Sequence, residues 1–220
     1  MLRHFCMHPN IGISLRISYA KDYDEKRDSL SRDWPKLMEE LGTNIVFIPN
    51  SLKNIHSYLI ELNLSGFIIS GGDNVGDDVE RDKTEIEMIK FATKNKIPLF
   101  GVCRGMQIIN KFFDGTISVN EKSNHVGKHH TVNIVNQNFF KFFKNKHAQV
   151  NSFHNNLIYT ENLGHDLIPF ATVSEDGTVE GFFHKFFPII GVMWHPERQN
   201  TLESKTLLKH FFVKNPLFIH

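Results

Sequence analysis

The chain has 220 residues, 40% of them apolar, with 25 basic against 24 acidic side chains. That length and apolar content suit one α/β domain spanning residues 1–220, and the near-neutral balance gives no electrostatic case for nucleic acid or a membrane surface as partner. No stretch reaches the roughly 20 apolar residues of a spanning helix. The first residues carry Arg3, His4 and His8 and lack the apolar centre of a signal peptide. Met7 is an alternative start, since the strand begins only after Pro9; read from Met1, residues 1–6 are expected to form a disordered extension. The two cysteines, Cys6 and Cys103, leave no disulfide to expect once Cys103 is given a chemical role, which fits a reducing cytoplasm. Twenty phenylalanines against four tyrosines are scattered without a basic, base-stacking pattern and read as a genome or core-packing preference.

In chain order, Ile11 to Leu15 is strand-like and leads to Arg16, and Leu30 to Leu41 reads as a helix with Leu37 and Leu41 on one face. Asn44 to Ile48 is strand-like, Ile55 to Leu62 helical, and Gly66 to Ser70 a short buried strand. Asp82 to Lys96 is an amphipathic helix with Ile86, Ile89 and Ala92 inward. Ile97 to Val102 is another buried strand, after which Met106, Ile109 and Asn110 begin a helix. This β-α-β alternation predicts a mostly parallel sheet with helices on both faces. The second half changes character. Thr131 to Val135, Ala148 to Asn151, Phe170 to Ser174, Val179 to Phe183 and Ile189 to Trp194 are short strands, joined by turns such as Glu175-Asp-Gly177. They predict an antiparallel set that completes the core, closed by a helix from Leu202 to Phe212. Ligands of open α/β sheets bind at the carboxyl ends of the strands, where Arg16, the Gly71-Gly72 loop and Cys103 are placed.

Cys103 stands between a strand and a helix with Gly101 and Gly105 on either side, an arrangement that sets a nucleophile on a sharp turn. The orphan N–H groups of a helix start would favour its thiolate. The alternative is a small buried core cysteine. A second segment, Gly191-Val-Met-Trp-His-Pro-Glu-Arg198, favours chemistry: His195 can take the thiol proton and Glu197 can orient the imidazole.

At these residues the chain resembles the class I glutamine amidotransferase-like family, whose signature joins a G-x-C-x-G elbow to a downstream H-P-E. The resemblance runs over nearly the whole length and implies a flavodoxin-like fold, a Cys103–His195–Glu197 triad, and hydrolysis of a γ-glutamyl amide with release of glutamate. It implies an oxyanion hole from the N–H groups of Gly72, in Ile68-Ile-Ser-Gly-Gly-Asp73, and of Arg104, with no metal or organic cofactor. It further implies a glutamyl contact at Gln107 and a pocket along Val150-Asn-Ser-Phe-His-Asn155, with Ser152, Phe153 and His154 as substrate-binding residues. For His154, ordering of the pocket loop is as good a reading as ligand contact. Arg104 stands where synthetase-coupled members often carry leucine. Together with Asn151-Ser-Phe-His154 and Trp194-His-Pro-Glu-Arg198, it points to the γ-glutamyl hydrolase branch. Tyr23 to Trp34, following Ile11 to Arg16, resembles those members of the branch that release a cytidine diphosphoramidate in building capsular phosphoramidate. Phe113-Asp-Gly115 departs from the Gly-Gly pair usual after the nucleophile helix and leaves the local turn in question.

The partner implied is a small γ-glutamyl substrate carrying a cytidine nucleotide; a homo-oligomer is left open. Arg16 at the strand end and Arg27 in the loop beyond suit a diphosphate, because guanidinium groups make forked contacts with phosphate oxygens. Arg32 reads as a solvated charge at a helix start. His125, His129 and His130 lack the paired cysteine or carboxylate motif of a zinc site and read as surface histidines, so no metal is expected. Gly71-Gly-Asp-Asn-Val-Gly76 lacks the Gly-Lys-Ser/Thr ending of a phosphate loop. The competing functions are a glutaminase feeding ammonia to a separate synthetase, a γ-glutamyl-γ-aminobutyrate-type hydrolase, and a non-enzymatic ligand or redox sensor on the same fold.

Overall fold

A computed structural model describes residues 8–119, 126–199 and 201–214. The first strand, β1 (Asn10–Ser14), is buried from Ile11 onward. Beyond Leu15 the chain departs from expectation. Arg16–Tyr19 (β2) and Lys26–Ser29 (β3) pair as an antiparallel hairpin, so Arg16 opens a second element instead of ending the first, and Arg27 lies in a strand instead of a loop. Both strands are short and largely charged or polar, with no apolar alternation to mark them. Helix α1 accordingly runs over Asp33–Leu41 and not from Leu30.

β4 (Asn44–Ile48), α2 (Ile55–Glu61) and β5 (Gly66–Ile69) follow as expected. α3 spans Val79–Asn95, starting earlier than its apolar pattern suggests, because the Asp78 side chain accepts from the Arg81 N–H at 2.8 Å and caps the first turn. β6 (Leu99–Val102) and α4 (Arg104–Phe112) are separated by Cys103 alone. In the second half lie β7 (Ser118–Val119), β8 (Val126–Ile134), β9 (His147–Phe153), β10 (Asn156–Leu157), β11 (Leu167–Val173), β12 (Val179–His184) and β13 (Ile189–Val192). α5 (Leu202–Lys209) passes into a wider turn over His210–Lys214.

Nine strands form one mixed sheet in the order β4-β1-β5-β6-β13-β12-β11-β8-β9. β13 corrects the expectation of a purely antiparallel second half: it runs parallel to β6, with Val192 beside Val102, and antiparallel to β12. A fully buried apolar run carries no record of its neighbours' direction. α2, α3 and α4 pack together on one face, and α1 packs with α5 on the other. The chain leaves β1 toward β4 and leaves β5 toward β6, so the strand order reverses between β1 and β5. Loops diverge at such a point and open a crevice at the carboxyl edge.

Much of the phenylalanine is core. Phe139 stacks on Phe170 with ring centroids 3.9 Å apart, and Phe100 meets Phe211 and Phe212 edge-on or tilted. The turn in question after α4 forms with Asp114 in the left-handed region at φ 66°. The Asn110 side chain ties it down by donating to the Thr116 and Asn162 carbonyls. Among the described residues no helix is long and apolar enough to cross a membrane.

Candidate active site

β6 runs straight into α4, and the whole reversal falls on Cys103, which adopts φ 52° and ψ −107°. A residue with a Cβ rarely occupies that region, and strain of this kind concentrates at functional positions. The turn is held from below by the Cys103 N–H, which donates to the Val192 carbonyl at 2.8 Å. It is held from above by close packing: a Cβ on Gly105 would stand 2.0 Å from the Ile69 oxygen, so only glycine lets α4 start this close to β5.

β13 delivers the second component. His195 follows its end, and its Nδ1 lies 2.8 Å from Glu197 Oε1, with both side chains buried. Asn151 of β9 grips the histidine backbone at both ends: its Nδ2 donates to the His195 carbonyl at 2.9 Å and its Oδ1 accepts from the His195 N–H at 2.7 Å. Phe153, two residues on and so on the same strand face, sets its ring edge-on to the His195 imidazole at 5.8 Å. The Arg198 guanidinium lies over the Phe153 ring at 4.6 Å. Sequence reasoning passes over Asn151, although it lies inside the segment assigned to the pocket.

The loop after β5 closes the group. A Cβ on Gly71 would lie 2.8 Å from His195 Cε1 and 3.5 Å from Cys103 Cβ, so the cysteine and the imidazole both border this loop and glycine is what leaves the space open. The Arg104 side chain turns away from this space into the protein, to Glu85 and Asp82.

Burial pushes the Cys103 thiol up to about 12, and the Glu197 and Glu180 carboxylates add to that. The Arg104 N–H at the helix start and the Arg198 charge oppose it only in part. Burial thus favours the neutral thiol, against the pull of the helix N-terminus toward the thiolate. Its proton has to leave as the sulfur attacks, which makes a base beside it a requirement.

Gln107 is buried one turn into α4. Its Nε2 contacts Met193 Sδ at 3.7 Å and its Oε1 accepts from Asn156 Nδ2 at 3.3 Å. His154 is buried between the Asn156 carbonyl, 3.0 Å from Nδ1, and the Glu180 carboxylate, 3.3 Å from Nε2. Glu180 also meets His130 at 3.2 Å. These contacts hold the Glu180 carboxyl at about 2 against the cost of complete burial. Ser152 is buried, and strand alternation turns its side chain to the face of β9 opposite Asn151 and Phe153.

Of the histidine cluster, His125 lies outside the described residues. His129 and His130 are neighbours on β8 and so face opposite sides of it. The surface reading holds for His129 but not for His130, which is paired with Glu180. No group of three or more metal-ligating side chains converges among the described residues.

Arg16 and Arg27 come together on one face of the hairpin. Arg16 lies opposite Ser29 and Arg27 opposite Ser18, which makes the two arginines diagonal neighbours, with roughly 7–8 Å between them at the backbone. Arg16 leans over Gly72, its Nε 3.2 Å from where a Cβ would be, and its nearest carboxylate is Asp73 at 3.9 Å. Arg27 is exposed further out and is engaged by Glu25 and the Tyr23 hydroxyl. Arg32 is exposed at the start of α1, the solvated charge expected.

A strained thiol beside a histidine–carboxylate pair is the equipment of covalent hydrolysis. The chain belongs to the glutamine amidotransferase class-I family, whose sequence profile matches residues 26–215, and with it to the enzymes that hydrolyse C–N bonds. It is 37% identical over 209 residues to the gamma-glutamyl-CDP-amidate hydrolase of Campylobacter jejuni, covering 92% of this chain and 96% of that protein. It is 32% identical to the carbamoyl phosphate synthase small chain of Lactococcus lactis, over 86% of this chain and 47% of that one. A solved Thermoplasma acidophilum protein, provisionally assigned as a component of GMP synthase, superposes with a TM-score of 0.72 at 22% identity, over 93% of both chains. A glutamine amidotransferase of Thermotoga maritima does so with 0.64 at 16%, over 95% of this chain and 90% of that one. These two share the fold.

Proposed function

We propose that this enzyme hydrolyses the γ-glutamyl amide bond of γ-glutamyl-CDP-amidate, releasing glutamate and cytidine diphosphoramidate. The observation that carries the chemistry is Cys103 held at φ 52° beside the His195–Glu197 pair. The Cys103 sulfur attacks the γ-carbonyl carbon while its proton passes to His195 Nε2, and Glu197 on Nδ1 stabilises the imidazolium that forms. The carbonyl oxygen, now an oxyanion, is received by the N–H groups of Gly72 and Arg104. Collapse breaks the C–N bond, and the His195 proton goes to the departing nitrogen. Water then adds to the γ-glutamyl thioester with His195 as base, and the thiol regains its proton as glutamate leaves. The glutamyl group is assigned to the space beside Gln107, Phe153 and His154; Ser152, turned to the other face of β9, takes part only through its backbone. Arg16, and Arg27 once released from Glu25, meet the diphosphate. The choice of leaving group is supported by the near full-length similarity to the Campylobacter hydrolase and by a guanidinium beside Gly72.

A second reading, a glutaminase supplying ammonia to a synthetase, is favoured by the similarity to the carbamoyl phosphate synthase small chain. Glutamate release from a panel of glutamine, γ-glutamyl-γ-aminobutyrate, γ-glutamyl peptides and γ-glutamyl-CDP-amidate separates the two. The nucleotide substrate should give the highest kcat/KM. Arg16→Ala should lower that value by about one to two decades while leaving a small uncharged γ-glutamyl amide nearly untouched, since a charge-assisted contact contributes roughly 1.5–3 kcal/mol. Equal losses on both substrates, or a preference for free glutamine, would remove the nucleotide and keep the thiol chemistry.

A further inference from the structure

Beneath the Gly71–Gly72 loop lies a charged cluster that the proposed chemistry does not use. α3 turns Arg81 and Glu85, one helical turn apart, inward with no solvent exposure. Glu85 Oε1 accepts from Arg81 Nε at 2.9 Å and from Ser14 Oγ at 2.8 Å, and its Oε2 accepts from Arg104 Nη1. Asp82 takes Arg104 Nη2, and Asp73 takes Arg81 Nη1 at 3.0 Å. Buried ion pairs of this kind add little net stability over an apolar filling, so their placement calls for another reason.

The remaining donors of Arg81 supply one. Its Nη2 donates to the carbonyls of Ser70 and Gly71, both at 3.0 Å, and Nη1 more loosely to that of Gly72 at 3.4 Å. Three successive carbonyls thus curl around one guanidinium, a path that needs the positive φ of Gly72 (96°) and Asp73 (44°). In a trans peptide the N–H points opposite to the C=O. With the Gly71 carbonyl held on Arg81, the Gly72 N–H is turned away from the cluster. The bare side of Gly71 meanwhile faces Cys103 and His195.

We infer that Arg81 is a positioning residue for the oxyanion hole. It fixes the Gly71–Gly72 peptide so that the Gly72 N–H stays aimed, and through Glu85 it joins that donor to Arg104, the residue that supplies the other. The inference rests on the proposed function, in which those two amides receive the γ-carbonyl oxygen. A lysine would restore the charge at position 81, but a single ammonium cannot fork across the carbonyls and a carboxylate at once.

The test compares wild type, Arg81→Lys and Asp73→Asn in two reactions of the same thiol. One is turnover of the best substrate among the four γ-glutamyl compounds. The other is alkylation of Cys103 by iodoacetamide, in which sulfur displaces iodide at a methylene carbon and no oxyanion develops. Arg81→Lys should lower kcat about ten- to hundred-fold with KM and the alkylation rate within about threefold of wild type, since losing one oxyanion donor outright costs about 10²–10³ in kcat. Asp73→Asn, which removes one carboxylate partner of Arg81 and also loosens the longer contact with Arg16, should lower kcat about three- to tenfold, on a γ-glutamyl amide without a diphosphate as well, with the alkylation rate unchanged. If circular dichroism shows that Arg81→Lys does not fold, Asp73→Asn decides. An unchanged kcat, a loss confined to KM, or an equal fall in alkylation overturns the inference. Failure of the underlying reading shows differently, as turnover that survives alkylation of Cys103.

Discussion

The two halves of the sheet serve the site in different ways. The parallel half, β4 to β13, places Cys103, the Gly71–Gly72 loop and His195 just past strand ends, where backbone conformation does the positioning. The antiparallel half, β12 to β9, reaches the same site from within its strands, through Asn151 and Phe153 on β9 and Glu180 on β12. The first half presents reacting groups in a strained turn; the second half holds them by side-chain contacts. Damage to the first should therefore remove chemistry at little structural cost, and damage to the second should cost both.

The sharpest test of that division is Cys103→Ala. It deletes the candidate nucleophile and little volume, so turnover should fall below about a hundredth of wild type with the melting temperature nearly unchanged. Turnover above that level would remove the thiol from the reaction. His195→Asn should be nearly as severe and Glu197→Gln less so, because the orienting carboxylate contributes less than the base and the losses do not add. Full activity in Glu197→Gln would make its 2.8 Å contact with His195 incidental.

Asn151→Ala tests the other half. It strips both hydrogen bonds from the buried His195 backbone, so stability should fall by about 1–3 kcal/mol, measured by urea unfolding. kcat should drop about tenfold as the imidazole loses its setting. If activity fell without any change in stability, Asn151 would belong with the reacting groups and the division between the halves would be wrong.

What the sequence shows follows the same line. The elbow and the His-Pro-Glu end are legible because they join an apolar strand to residues with chemical side chains over a few positions. The fully buried strands are legible too, apart from the direction of β13's neighbours. The β2–β3 hairpin is hidden because a short charged ribbon has no apolar alternation. Asn151 is hidden because its partners are backbone groups of a residue 44 positions away. Arg81 and Glu85 leave a signal that can be read. Glu85, Ile89 and Ala92 are spaced by four and three on the buried stripe of α3, and a carboxylate on such a stripe needs a partner.

The smallest expected effect concerns Glu180, which lies in the antiparallel half against His130 of β8 and His154, with Asp176 and Glu175 also acting on His130. The Glu180 carboxyl is depressed from 4.5 to about 2, so its stabilising contribution is present above pH 4.5 and is lost as pH falls through about 2. The His130 imidazole, though burial works against its charge, is raised above 6.5 by Glu180, so its contribution is present below pH 6.5 and is lost as pH rises through its folded value. Both conditions hold together only in mildly acid solution. The stability difference between wild type and Glu180→Gln, followed by urea unfolding across pH, should therefore peak near pH 5 and decline on both sides. A difference that stayed flat from pH 5 to pH 9 would mean that His130 gains nothing from the carboxylate, and that the second half of the sheet holds the site through uncharged contacts such as those of Asn151.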